Sequence, residues 1–345
     1  MRVLPFFIIY SIPASVVIAW ALGGWWTFYP LVQNYVLVPL ADHLLGLNLR
    51  NLEGEAEAAA NRSRLYRYVT WGVVPVTVAL VLLVGTEVAS GTLTWLEIAG
   101  LTLATGMATG AAGITTAHEL THQRRFERGL AGVLLALVHY MHFGIEHVRG
   151  HHLTVGTPAD PVTARPGESF YAFLPRAFFG SWLSAWHIET DRLRRKSLPR
   201  WSWHNRMLLY AAISIALHAG AYLLWGWIGV AFFFAQGFIA VFQLECINYV
   251  EHYGLYRREL SPGVYEPQTA RHSWNASHRL SNMSLFNLPR HTDHHMHAGR
   301  RYHILRHVEG APQLPAGYAA MILLALVPPL WRQVMDPRAA AAMAG

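Results

Sequence analysis

Two stretches of this chain, residues 3–41 and 207–244, contain no Asp, Glu, Lys or Arg. A bilayer core accommodates about 20 apolar residues per helix, so runs of 39 and 38 residues each suit two spanning helices joined by a tight turn. The sequences "GGWWTFYP" (23–30) and "LWGWIG" (224–229) supply glycine, proline and interfacial aromatics at the points of reversal. Two further charge-free runs, 69–86 and 98–117, have the length of single spans. The expectation is an all-α membrane protein of six transmembrane helices, at about 5–23, 24–41, 69–86, 97–117, 207–225 and 228–249, in one integral-membrane domain over 1–345. Composition agrees: 53% of residues are hydrophobic and 14% charged, against about 25% charged in soluble domains. The first run follows Met1 and Arg2 but far exceeds the h-region of a signal peptide and ends without an A-x-A-like site, so it reads as a retained span.

Arginine placement sets an expected orientation. The loop after the second span carries Arg50, Arg62, Arg64 and Arg67, whereas the loop around Glu87 to Glu97 has no Lys or Arg. By the positive-inside bias the first loop is cytoplasmic. Segments 118–206 and 250–345, both basic, fall on the same side and form an expected cytoplasmic cap, with both termini cytoplasmic. The apolar stretch 130–145 is short and contains His139 and His142, which suits a re-entrant or interfacial helix. Residues 317–331, broken by Pro328 and Pro329, read as surface-lying. The net charge of +7 belongs to these loops and not to a nucleic-acid surface. One cysteine, Cys246, excludes an internal disulfide and a cysteine-based metal centre within these residues.

With that topology, histidines collect on one side of the membrane. "HELTH" ends the fourth span and places His118 and His122 on one helical face. "EHVRGHH" carries His147, His151 and His152; on a continuing α-helix the third points about 140° away from the first. "NYVEHYG" places His252 just past the sixth span, and "HTDHH" spaces His291, His294 and His295 at i, i+3 and i+4. By contrast, His43, His187, His204, His218 and His303 read as ordinary polar residues at a membrane edge. Nine clustered imidazoles exceed what one four-coordinate zinc uses and suffice for two metals of four or five nitrogen ligands each, which points to a dinuclear iron site activating O2. Glu119, Glu146, Glu251 and Asp293 each neighbour a histidine in sequence. They are candidate acceptors for the second N–H of a metal-bound imidazole, with direct ligation or simple solvation as the alternatives.

The three boxes match those of the membrane fatty acid desaturase and hydroxylase superfamily, and the surrounding residues resemble more narrowly the alkane 1-monooxygenase family. That closer resemblance rests on "GHHLTVGTPADP" (150–161), "ESFYAFLPR" (168–176), "NYVEHYGL" (248–255), "SWNASHRLSN" (273–282), "LPRHTDHHMHAGRRYHILR" (288–306) and "PPLWRQVMDPR" (328–338). It implies two non-haem irons held by the nine histidines, in a multi-pass protein of a bacterial inner membrane. It further implies terminal hydroxylation of alkanes with O2 and two electrons from rubredoxin, which an NAD(P)H-dependent reductase recharges. Asp160 and His278 join the expected supporting residues on the same ground. A fused rubredoxin needs cysteines that these residues lack, so the implied donor is a separate protein. The arginines of 192–200 and 300–306 are candidate docking charges for an acidic carrier. Competing readings are a monooxygenase acting on methyl groups of aromatic compounds, a fatty acyl desaturase, a histidine-rich metal transporter, and a zinc protease using "HELTH" with Glu119 as base.

Overall fold

A computed structural model describes residues 3–344; Met1, Arg2 and Gly345, the ends of the single domain expected over 1–345, lie outside the described residues. In chain order the helices are α1 (Leu4–Leu22), α2 (29–45), α3 (Gly54–Arg62), α4 (Leu65–Ala89), α5 (Trp95–Thr121), α6 (Arg125–Leu137), α7 (143–154), α8 (Phe170–Arg194), α9 (Arg206–His252), α10 (Arg279–Ser284), α11 (His291–Met296), α12 (Tyr318–Ala325) and α13 (Pro328–Ala344). Among the described residues the only strands form a small antiparallel hairpin, Glu259–Ser261 with Val264–Tyr265. The chain is therefore mainly helical, as the apolar runs predict.

Four helices, α1, α4, α5 and α9, are long and apolar enough to cross a membrane, and the bent pair α12–α13 makes a fifth if taken as one span. The segment expected at 24–41 differs in detail. A short 3-10 turn, Gly24–Phe28, precedes α2, and a π turn over Gln33–Leu37 interrupts it. Pro39 has no N–H to give back to the preceding turn, so the helix widens just before it and no uninterrupted helix of spanning length results. The segments expected at 207–225 and 228–249 form one run whose single non-helical residue is Gly226, at φ 66 and ψ −163. That conformation favours glycine, and it lies where the aromatic-flanked turn is expected.

Two short segments were expected outside the bundle. α6 is too short to span and ends before His139, which has φ 59. The 317–331 expectation is corrected: Tyr318, Met321, Ile322, Ala325 and Trp331 are buried in a core shared with Phe170, Phe173, Tyr249 and Tyr253. Pro328 and Pro329 start a new helix at 119° to α12, and this bend buries one face of the segment in that core while Leu323, Val327 and Leu330 stay exposed.

Close backbone packing positions the helix ends that matter for function. A Cβ on Gly106 would lie 2.6 Å from Ile239 Cβ, and one on Gly110 2.5 Å from the Gln243 side chain, so these two glycines let α5 approach α9 at backbone distance. This is the small-xxx-small mode of helix association in membranes. At the start of α5, Thr94 and Glu97 form a capping box, and Glu97 Oε1 also accepts from Gly24 N at 2.7 Å, pinning the turn after α1. At the other end, the loop after α2 is stitched to the C-terminal third. The Arg290 guanidinium donates to the carbonyls of Asn48 (2.9 Å) and Leu305 (2.7 Å), and buried Asp42 accepts from the backbone N–H groups of Leu280 and Ser281.

Candidate metal centre

The histidines converge where α5 and α9 end. The last turn of α5 supplies His118, and His122 follows immediately after it. His252 is the last residue of α9, and α11 carries His291, His294 and His295. α7 supplies His147, His151 and His152, but its middle, His147–His151, is a π turn. This corrects the α-helical expectation for His152. In a π turn residue i faces i+5, so His152 is brought beside His147, their Nε2 atoms 3.1 Å apart, while His151 turns elsewhere.

Two groups result. One ligand nitrogen from each of His118, His122, His147 and His294 lies within 4.8 Å of the others, and the same holds for His151, His252, His291 and His295. His152 Nε2 lies 3.1 Å from both His147 and His294, and so completes the first group as a fifth member. The i, i+3, i+4 trio is divided, His294 facing one group while His291 and His295 face the other. The groups abut, the rings of His152 and His295 lying 4.5 Å apart.

The donor set fits metal ions. Two imidazole nitrogens each about 2.1 Å from one ion, at angles of 90–109°, are about 3.0–3.4 Å apart. Nε2 separations in the second group are 2.9 Å for His291 and His295, 3.1 Å for His291 and His252, and 3.3 Å for His151 and His295. Nε2 of His118 and of His122 are buried with no hydrogen-bond partner, a costly arrangement unless a ligand satisfies them. Burial, reinforced by neighbouring imidazoles, holds His147, His152, His291, His294 and His295 well below the ordinary histidine value, and His122 falls to about 4. All six therefore present lone pairs at neutral pH, as metal ligation requires.

The supporting acids separate into two kinds. Asp160 Oδ2 lies 3.0 Å from His151 Nδ1 and accepts from Thr163 Oγ1 at 2.6 Å. Burial opposes charge on both members of this pair, yet their attraction outweighs it, raising His151 and lowering Asp160. Glu251 Oε1 stands 3.2 Å from His291 Nδ1 and accepts the Tyr318 hydroxyl at 2.6 Å. The other acids have partners outside the nine histidines, although Glu146 also lines a small cavity with His147 and His151. Glu119 accepts from Gln123 and Glu146 from Ser184. Asp293 accepts from His297, Arg300 and the Arg306 backbone, closing the loop after α11. His278 begins α10, with its backbone bridged to Leu47. One helical step of about 100° sends a sequence neighbour to a different face, which explains why adjacency to a ligand misleads for Glu119 and Asp293. Nor does Glu119 face His118 and His122 as a protease base would.

Sequence reasoning missed Tyr318, Tyr140 and Glu245. The Tyr140 hydroxyl donates to Glu245 Oε1 at 2.6 Å, and Asn248 holds the other oxygen at 3.1 Å. Glu245 is the residue that ends the second charge-free run, a signal that was available. The candidate docking arginines of 300–306 are largely committed to structural pairs: Arg300 with Asp293, Arg301 with Glu127 and Arg306 with Glu57. By contrast, Arg195, Lys196 and Arg200 in the other basic stretch are exposed.

An apolar cavity runs from the cage between α2, α5, α9 and α12. His118, His147 and His291 form its inner end, and its walls include Val38, Ile114, Leu244, Ile247 and Ile322. At the opposite side of the cage, His122 and His152 are the two ligand candidates that are only partly buried.

Residues 90–325 match the family model of the fatty acid desaturases. The chain is 43% identical over 333 residues to alkane 1-monooxygenase 2 of Pseudomonas aeruginosa, covering 94% of this chain and 88% of that protein. It is 44% identical over 325 residues to alkane 1-monooxygenase 1 of the same organism, covering 93% and 85%. The hydroxylase component of xylene/toluene monooxygenase from Pseudomonas putida is 32% identical over 237 residues, covering 68% of this chain and 63% of the relative.

Proposed function

The chain belongs to the alkane 1-monooxygenase family, within the fatty acid desaturase superfamily, and from that premise we propose that it hydroxylates the terminal carbon of an alkane at a di-iron centre. The balanced reaction is RCH3 + O2 + 2 e− + 2 H+ → RCH2OH + H2O. His118, His122, His147, His152 and His294 would hold one iron, and His151, His252, His291 and His295 the other. When bound, such a pair supplies the reductive activation of O2 that attack on an unactivated methyl group needs. The observation that carries the reading is the convergence of nine buried or half-buried histidines, in groups of five and four, on the inner end of an apolar cavity.

The chain's own residues account for the remaining requirements. An alkane has no polar handle, so it is positioned by shape and water exclusion alone, which Val38, Ile114, Leu244, Ile247 and Ile322 provide along the cavity wall. Asp160 fixes the orientation of His151 through a hydrogen bond, and Glu251, held by Tyr318, stands 3.2 Å from His291 Nδ1 as its nearest carboxylate. The electron donor is a separate rubredoxin, recharged by an NAD(P)H-dependent reductase. It approaches the cage where His122 and His152 are partly exposed, beside exposed Arg124 and Arg125, a site suited to an acidic carrier. The protein sits in the bacterial inner membrane with six spans: α2 and the two halves of α9 on either side of Gly226 join α1, α4 and α5. The cap of 118–206 and 250–345 and both termini face the cytoplasm, as the arginine distribution favours.

The test is turnover of a panel of alkanes and alkylbenzenes in 18O2 with rubredoxin, reductase and NAD(P)H. Labelled 1-alkanol supports the proposal; label only in benzylic alcohols moves the assignment to alkyl-aromatic substrates, the reading favoured by the 32% identical relative.

A further inference from the structure

A second cleft lies between the end of α6, α8 and the first turns of α9. Its walls include Tyr140, His142, Phe178, Trp182, Trp186 and Trp201, and no Asp, Glu, Lys or Arg lines it. His142 is 7% exposed, and its Nε2 has no hydrogen-bond partner. On the same wall, His139 Nε2 contacts the Phe233 carbonyl at 3.0 Å, leaving Nδ1 unpartnered as well. Buried polar nitrogens without partners are rare and costly, and here both rings belong to the lining of a cleft that is mainly aromatic and aliphatic, with Tyr140, Tyr210 and Ser214 as its hydroxyl-bearing residues. Burial keeps His142 near a value of about 4, so the ring is neutral at physiological pH. A neutral imidazole in an apolar groove complements a neutral ligand with one group that can donate or accept a hydrogen bond and a hydrocarbon tail. An alkane lacks the first, and a phospholipid headgroup brings charge that nothing in the lining balances.

The cleft is also placed to receive what the cage makes. A small cavity lies between the two, walled by Phe143, His147, His151 and Asn248 on the cage side, by the buried acids Glu146 and Glu245, and by Tyr140 toward the cleft. Phe143, His147 and Asn248 also wall the alkane cavity, and Tyr140 also walls the aromatic cleft. The three spaces thus form a series in which each neighbouring pair shares side chains. Hydroxylation converts a molecule that only the first space suits into one that the last suits better.

We infer that the aromatic cleft is a binding site for the alkan-1-ol product, whose hydroxyl pairs with His142 while its chain lies along Trp182, Trp186 and Trp201. This assignment rests on the alkane hydroxylation proposed above. The polarity difference gives the product a destination that substrate does not compete for, so the alkane cavity is cleared by partition and not only by diffusion back along the entrance.

The test is an equilibrium titration that requires no turnover. Full-length, metal-loaded protein in lipid nanodiscs is titrated with 12-bromododecan-1-ol and, separately, with 1-bromododecane, the bromine quenching nearby tryptophan fluorescence. The bromoalcohol is expected to quench with a saturable component that disappears when Trp182, Trp186 and Trp201 are all changed to Phe. His142→Phe is expected to weaken that component about 3- to 10-fold, the loss of roughly one neutral hydrogen bond, and to leave the bromoalkane titration unchanged. Ala211→Trp, which adds bulk to the same cleft, is expected to weaken alcohol binding whether or not the His142 variant assembles. Unchanged alcohol binding in His142→Phe and Ala211→Trp would overturn the assignment. So would equal saturable quenching by the bromoalkane, or displacement of the bromoalcohol by phosphatidylglycerol but not by 1-dodecanol. Failure of alkane turnover in the 18O2 assay, with alcohol binding intact, would instead remove the proposed reaction and leave the site.

Discussion

Replacing Asp160 by Asn isolates one contact on one side of the metal cage. Asp160 is 2% exposed, with Oδ2 3.0 Å from His151 Nδ1 and 2.6 Å from Thr163 Oγ1 and Oδ1 3.3 Å from Val162 N. Thr163 Oγ1 accepts from Gly156 N, which leaves its own proton for Asp160. The carboxylate therefore meets donors at both oxygens. An asparagine must set its NH2 against either the His151 and Thr163 donors or the Val162 N–H, so at least one buried donor loses its partner in either orientation. A charge-assisted hydrogen bond contributes roughly 1.5–3 kcal/mol, which agrees with the 10- to 100-fold loss of metal affinity typical when a ligand's orienting partner is removed. Because His151 belongs to the group of four, the loss should be confined to one iron. Chelator titration of the loaded variant, followed by metal analysis, should release one iron at about 10- to 100-fold lower chelator activity, with the second iron released as in the wild type. Release curves superimposable on the wild type would refute the orienting role. Simultaneous loss of both irons from folded protein would refute the division of ligands.

Other sites give independent tests. Glu189, fully buried as a side chain, accepts from Arg192 and from both the side chain and backbone of Arg206, at the start of α9. Burial works to raise its carboxyl, but those hydrogen bonds prevail and hold it at about 2. Its folded value lies below its unfolded one, so its contribution, on the order of 2–3 kcal/mol, is fully present above about pH 4.5 and disappears as pH falls through about 2. The difference in thermal stability between the wild type and Glu189→Gln should accordingly be constant from pH 6 to 8 and shrink below pH 4. Gly106→Ile inserts side-chain atoms where a Cβ alone would already lie 2.6 Å from Ile239; it should destabilise the protein by about 1–3 kcal/mol or more, and iron retention measured after mild heating should fall with it. Gly129→Ala, where nothing lies within 4 Å of the added Cβ in the interior of α6, should be neutral to stabilising by up to about 1 kcal/mol by the same measure. Tyr318→Phe frees Glu251 from its 2.6 Å hydrogen bond and should lower iron affinity less than Asp160→Asn, because Glu251 retains its position 3.2 Å from His291 Nδ1.

The histidine boxes were legible because two local periodicities carry them: i, i+4 in "HELTH" and i, i+3, i+4 in "HTDHH" both place rings on one side of a turn. The division of the boxes between two groups was not. His152 depends on a π turn at 147–151, a backbone choice that the α-helical period cannot anticipate, and His294 parts from His291 and His295 because the groups meet across α11 itself. Sequence adjacency singled out Glu251, which lies 3.2 Å from His291 Nδ1 through tertiary contact and not beside its neighbour His252. It equally singled out Glu119 and Asp293, whose carboxylates accept from Gln123 and the 297–306 loop. The apolar runs gave the helix-rich class and the position of the break at Gly226, since charge-free length and aromatic-flanked glycine are composition signals. They could not show that α12 and α13 fold into the core, because burial in protein and burial in lipid select the same residues.

The central claim is that nine histidines hold two irons, and iron per chain measures it most directly. Metal analysis of protein purified from iron-replete cells should find two irons per chain in the wild type. One zinc and no iron per chain in the wild type, or two retained irons in a folded, active His294→Ala variant, would contradict it.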